Sequence, residues 1–213
     1  MRIYFISGLG ADRRVFGRLK FSKDIEVVHI DWIPAREEES LEAYSHRMLE
    51  FIDTSVPFSL LGLSMGGMVA VEISKLKRPQ HLFLVSSAAC ASDLPELYRR
   101  FGSAGLLKLV PARLMVWPHP AVYWYFGARD EADRKLVRDI MKDTDPAFVK
   151  WAVGAILSWR NSLVPVRPLR IHGGSDKVLP PCKDTDVLVD GAGHLMVWTH
   201  AEAVVKAVEG CLG

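Results

Sequence analysis

Residues 58–63 are a short, densely apolar run, and Val69, Ile73 and Leu76 recur at helical spacing immediately after it. An apolar run of that length reads as a strand buried on both faces. A strand must therefore become a helix across Gly62-Leu63-Ser64-Met65-Gly66, with a single corner residue between them. Such a corner strains the backbone of Ser64, and glycines two positions before and after it allow neighbouring backbones to approach. Ser64 then stands at the carboxyl end of a strand over a helix N-terminus, where a nucleophilic hydroxyl is useful. A plain glycine-rich turn is the alternative; the strand before and the helix after favour the chemical reading.

The rest of the chain repeats that unit. Apolar runs at 3–7, 25–30, 58–63, 81–86, 169–172 and 186–189 read as strands, about six in all, with helical patterns between most of them. This alternation predicts an α/β fold with a mostly parallel, doubly wound sheet. Leu41, Tyr44, Met48 and Ile52 make one helical stripe, and the acidic run Glu37-Glu38-Glu39 reads as a solvated loop before it. The last helix turns Ala201, Val204, Val205 and Val208 inward, with Thr199 and Glu202 spaced as a capping box. Residues 92–162 break the rhythm: they are long, lack a clear strand and carry most of the tryptophans. Within them Asp145-Pro146 reads as an N-cap with proline at the first helical position, and Leu136, Val137, Ile140 and Met141 share one side of another helix. A helical cap insertion at 92–162 within a single domain, 1–213, is expected.

Composition narrows the function. At 213 residues and 49% hydrophobic, the chain can bury one sizeable core and is not disordered. A net charge of +2 with scattered Lys and Arg argues against nucleic acid. No apolar stretch reaches membrane-spanning length, and with Met1-Arg2 leading straight into an apolar strand no targeting segment is expected. Cys90, Cys182 and Cys211 are far apart and odd in number, against a disulfide framework or a zinc ribbon. A cytoplasmic protein acting on a small molecule is expected, without metal or organic cofactor; no feature speaks to its oligomeric state.

In open α/β sheets, ligands bind beyond the carboxyl ends of the strands. Gly173-Gly174-Ser175-Asp176 and Asp190-Gly191-Ala192-Gly193-His194 each follow a predicted strand, on the same edge as Ser64. A serine hydroxyl is a poor nucleophile near neutral pH; it needs an imidazole to take its proton and a carboxylate to hold that imidazole in the right tautomer. His194 and Asp176 are the candidates, with Asp93, just past the 81–86 run, as an alternative acid. Each alone is an ordinary turn residue; together with Ser64 they point to catalysis. An oxyanion also needs backbone N–H donors. Met65, at the helix N-terminus, supplies one, and Leu9, in Gly8-Leu9-Gly10 after the first strand, supplies the other.

These pieces, with Asp31 ending the second strand, resemble the α/β-hydrolase fold superfamily over nearly the whole chain. The resemblance implies a sheet wound on both sides, a helical cap between the fourth and fifth visible strands, and a Ser64, Asp176 and His194 triad. Two departures stand out. Ser7-Gly8 replaces the His-Gly pair many members carry after the first strand, and the sequence opens directly on the strand that members usually precede with an antiparallel hairpin, so a minimal sheet is expected. Serine at the elbow excludes the relatives that use aspartate there to open epoxides or displace halide. Hydrolysis of an ester or thioester is the expected activity, with the aromatic residues Trp117, Tyr123, Trp124, Tyr125, Phe126, Trp151 and Trp159 available either to line an apolar pocket or to pack. A lyase or ligand receptor of the same fold is the alternative. A dinucleotide-binding oxidoreductase is more remote: Gly8-Leu9-Gly10 and Asp31 suit it, but Arg13 stands where a third glycine belongs.

Overall fold

The computed structural model describes residues 1–103 and 111–212. Its frame is a six-stranded sheet in the order β2-β1-β3-β4-β5-β6, with β1 Arg2–Ile6, β2 Glu26–Ile30, β3 Ser59–Leu63, β4 Leu82–Val85, β5 Leu169–Gly173 and β6 Val187–Val189. Every pairing is parallel. The expected runs thus fall on the observed strands to within a residue at each end.

Period-two alternation feeds two apolar layers, one on each face of the sheet. Tyr4, Ile6, Leu60, Leu82 and Leu84 face helices α1 (Leu41–Met48) and α2 (Met65–Leu76), where Tyr44, Met48, Val69 and Ile73 meet them. Ile3, Phe5, Leu61, Leu63, Phe83, Val85 and Ile171 point the other way, to Val15, Phe16, Val204 and Val208. The central strands β3 and β4 are buried at every position, whereas the outer strands β2 and β6 are half exposed, as edges of an open sheet must be.

Between β4 and β5 run α3 (Glu96–Ser103), α4 (Ala112–Met115), α5 (Pro120–Phe126), α6 (Glu131–Asp143) and α7 (Pro146–Ser158), with part of the expected insertion, 104–110, outside the described residues. Asp145 caps α7 by accepting from Ala147 N at 2.9 Å, with Pro146 at the first turn. Leu136, Val137 and Ile140 are buried along α6. The chain closes with α8 (Met196–Thr199) and α9 (Ala201–Leu212). Thr199 does not open α9: its hydroxyl turns back to Leu195 O at 3.3 Å, because a separate short helix ends there. Among the described residues, no helix is long and apolar enough to cross a membrane.

One acidic expectation changes. Glu39 is not a solvated loop residue; its carboxylate is 5% exposed and takes both Arg47 Nε at 2.8 Å and Nη2 at 2.6 Å. Helix α1 brings Arg47 back over the turn that precedes it, a pairing that a charge run read along the sequence does not show.

The strand order also locates the site. From β1 the chain moves outward to β2, then returns to β3 on the other side of β1. The loops leaving β1 and β3 therefore part at their carboxyl ends and open a crevice there.

Candidate active site

Ser64 is the corner between β3 and α2, at φ 52° and ψ −121°, a conformation that costs a non-glycine residue energy. Hydrogen bonds on both sides hold it: Ser64 N donates to Val85 O at 3.0 Å, and Ser64 O accepts from Gly67 N at 3.0 Å. The glycines are required by contact. A β-carbon at position 62 would lie 2.3 Å from Gly67 Cα, and one at position 66 would lie 2.3 Å from both Ile6 O and Ser7 O. Helix and sheet meet there backbone to backbone.

Two other strand ends converge on this corner. His194 Nε2 lies 2.9 Å from Ser64 Oγ, and His194 Nδ1 lies 2.8 Å from Asp176 Oδ2. The other carboxylate oxygen of Asp176 accepts from Val178 N at 2.9 Å and Leu179 N at 3.0 Å. Burial pushes the Asp176 carboxyl upward, but the His194 hydrogen bond and charge, the Leu179 N–H and the nearby His172 outweigh it, leaving the pKa below its ordinary value. An ionised carboxylate only accepts, so Nδ1 of His194 carries the proton and Nε2 is free to accept from the Ser64 hydroxyl. His194 is 5% exposed, with the Phe126 ring set edge-to-face with its own at a centroid separation of 5.7 Å.

A second imidazole stands behind the pair. His172 Nε2 donates to Leu179 O at 2.6 Å and is 3.6 Å from Asp176 Oδ2. Burial lowers its pKa, partly offset by the Leu179 carbonyl and Asp176, so it is neutral near pH 7. Sequence reasoning gave His172 no role, although a histidine inside an apolar strand was a visible signal. It backs the Asp176 turn.

Met65 opens α2 directly after Ser64, and Leu9 lies on the loop that leaves β1, which touches the corner: a β-carbon at Gly8 would be 3.4 Å from Ser64 Cβ. Among the described residues, no group accepts from the N–H of Leu9 or of Met65. Ser7, in place of the family's histidine, donates its hydroxyl to Ala11 O at 2.7 Å and closes the loop from within.

The other candidates lie elsewhere. Asp93 Oδ2 accepts from Ala89 N, Cys90 N and Arg170 Nη1 at 2.9, 3.1 and 3.2 Å, so that carboxylate is committed away from His194. Asp31, the ribose-binding candidate, pairs with Arg13 at 2.7 Å on the surface. Among the described residues, no group of three or more His, Cys, Asp or Glu side chains is disposed to hold a metal ion.

A cavity of about 620 Å³ opens over Ser64 and His194. Its wall is chiefly aliphatic: Val149, Val153, Ile156 and Leu157 of α7 face Met68, Val178 and Leu179. Of the aromatic residues weighed as lining, Tyr125 and Phe126 reach it, joined by Tyr98. Trp159 instead packs at 1% exposure and donates to Glu72 at 2.7 Å, Trp151 donates to Glu39 O at 2.8 Å, and Trp117 and Trp124 are 65% and 63% exposed. His194 is the one ionisable group other than tyrosine among the described residues of the wall.

A family model described as "Alpha/beta hydrolase family" matches residues 3–207. The fold is similar to a thermophilic esterase of Thermogutta terrifontis at 19% identity and TM-score 0.72, covering 100% of this chain and 89% of that one. It is similar to a hydrolase of Oleispira antarctica at 16% identity and TM-score 0.73, covering 99% and 90%. An esterase of Exiguobacterium antarcticum is similar at 14% identity and TM-score 0.73, covering 100% and 91%. At such identities these likenesses speak to fold. No curated protein matches the sequence.

Proposed function

Because the chain belongs to the alpha/beta hydrolase family, we propose that it is a serine hydrolase that cleaves an ester or thioester of a small to medium apolar substrate through an acyl-enzyme. The observation that carries this reading is the continuous hydrogen-bonded line from Ser64 Oγ through His194 to Asp176, at 2.9 and 2.8 Å, at the floor of an apolar cavity.

His194 Nε2 takes the Ser64 proton as Oγ attacks the substrate carbonyl. Charge then appears on the carbonyl oxygen, where the N–H groups of Leu9 and Met65 receive it. Asp176 stabilises the imidazolium and fixes its orientation. His194 returns the proton to the leaving group, and water repeats the sequence on the acyl-enzyme. Two features support this order. The strained corner sets Ser64 in the cavity wall, and among the described residues the N–H groups of Leu9 and Met65, in the neighbouring loop and at the next position of the chain, have no acceptor.

The cavity supports a neutral, aliphatic acyl or alcohol portion, because a charged group would be desolvated there without a counter-charge. In this reading α7 and its neighbours, within 92–162, act as the cap that shapes that portion. Ser64→Ala should abolish labelling by an active-site fluorophosphonate and turnover of short p-nitrophenyl esters. Labelling that persists in this variant would refute the assignment. Ligand binding by the unaltered protein with no acyl-enzyme burst would favour a receptor of the same fold instead.

A further inference from the structure

The chemistry proposed above requires two N–H groups that stay aimed at one point while charge builds there. A trans peptide is planar, so its carbonyl and its N–H point in opposite directions. Whatever grips the oxygen therefore sets the aim of the hydrogen. Both peptides concerned are gripped in this way.

The carbonyl of Gly8 is the far end of the peptide that carries the Leu9 N–H, and it accepts from Trp32 Nε1 at 3.1 Å and Ala11 N at 2.9 Å. The carbonyl of Ser64 is the far end of the peptide that carries the Met65 N–H, and it accepts from Ser87 Oγ at 2.6 Å, the shortest of its bonds, beside Gly67 N at 3.0 Å and Met68 N at 3.4 Å from the helix. Each side-chain donor is itself fixed. Trp32, just past β2, lies against Tyr44 and Phe148 with ring centroids at 6.1 and 5.6 Å. Ser87, just past β4, is 6% exposed, and its Oγ would stand 2.3 Å from a β-carbon at Gly67. Neither is among the described residues that line the cavity. A hydrogen bond accepted at the oxygen also polarises the peptide and strengthens its N–H as a donor.

We infer that Trp32 and Ser87 are positioning residues of the oxyanion site, each setting the direction of one backbone donor through the carbonyl of the same peptide. This inference rests on the hydrolase reading. It predicts a loss confined to the transition state, since the ground-state carbonyl meets the donors only weakly.

The test uses Trp32→Phe, which keeps a ring without the donor, and Ser87→Ala, which removes one buried oxygen. Active sites are counted by end-point fluorophosphonate labelling, so misfolded protein drops out of the comparison. Each variant should show the labelling rate and kcat on p-nitrophenyl butyrate reduced roughly 10- to 100-fold, less than outright loss of an oxyanion donor. KM and the pH profile should be unchanged, because neither the cavity nor His194 is touched. Ser87→Ala decides alone if the tryptophan variant does not accumulate. A variant with wild-type labelling rate and kcat per site, or one in which only KM rises, would overturn the inference. If Ser64→Ala still labels, the hydrolase reading itself fails; if Ser64→Ala is inert and both positioning variants are as fast as wild type, only this inference does.

Discussion

Asp176→Asn gives the sharpest test of the hydrogen-bonded line, because the structure dictates which way the new amide must face. Asp176 Oδ1 accepts from Val178 N at 2.9 Å and Leu179 N at 3.0 Å, and Oδ2 meets His194 Nδ1 at 2.8 Å. Asparagine has one acceptor end and one donor end. With its oxygen kept on the two backbone N–H groups, its NH₂ faces His194 Nδ1, which must then accept. The proton moves to Nε2, where it can no longer receive the hydrogen of Ser64.

Restoring the working tautomer means flipping the amide, so that NH₂ confronts two N–H donors, that of Leu179 buried and that of Val178 partly so. Leaving two such donors unsatisfied costs about 1–3 kcal/mol each, roughly 2–6 kcal/mol together. At about 1.4 kcal/mol per decade, kcat should fall by between about 30-fold and about 10⁴-fold. Loss of the charge that stabilises the imidazolium pushes the outcome toward the upper end. Initial rates on p-nitrophenyl butyrate across pH 6–9, normalised to labelled sites, would measure the loss. Turnover within a few-fold of wild type would refute the tautomer argument. Asp93 could not readily compensate, since its Oδ2 is held by Ala89 N, Cys90 N and Arg170.

Asp176 also has a folded-state pKa below its ordinary value, so it contributes stability that is complete above the unfolded carboxyl range, near about pH 4, and is lost as pH falls through the folded value. The stability difference between wild type and Asp176→Asn, followed by urea melts, should therefore shrink on acidification below about pH 4; a difference constant down to pH 2 would contradict it. Gly66→Ala would set a β-carbon 2.3 Å from Ile6 O and Ser7 O; forcing β1 and α2 apart should cost at least about 3 kcal/mol, read as a lower urea midpoint, and an unchanged midpoint would disprove the close approach. Val153→Trp would fill part of the cavity from α7. Each acyl methylene it displaces should lower kcat/KM by about fourfold, from about 0.8 kcal/mol of lost burial, while acetate esters are spared; uniform loss across chain lengths would mean that this wall does not meet the acyl group.

What the sequence made legible follows from where the constraint lies. β3 and β4 are buried throughout, so their residues had to be apolar in succession, and the elbow glycines had to be glycines because backbone occupies the space a side chain would need. The cavity wall was not legible in this way. Whether an aromatic residue faces a void or a neighbour is decided by distant contacts, such as Glu72 receiving Trp159 and the Glu39 carbonyl receiving Trp151, and the void fell to the aliphatic side of α7. The roles proposed for Trp32 and Ser87 were hidden for a related reason. Both are ordinary residues just past a strand, and nothing near them in sequence marks the peptides they grip. The strand order does: in β2-β1-β3-β4, the strands flanking the β1–β3 pair are β2 and β4. The first residues beyond those flanking strands must lie beside the loops that leave β1 and β3, so side chains there are the ones able to hold the Gly8 and Ser64 carbonyls from the outside. On the proposed reading, local sequence encodes the two donors and the topology of the sheet supplies what steadies them.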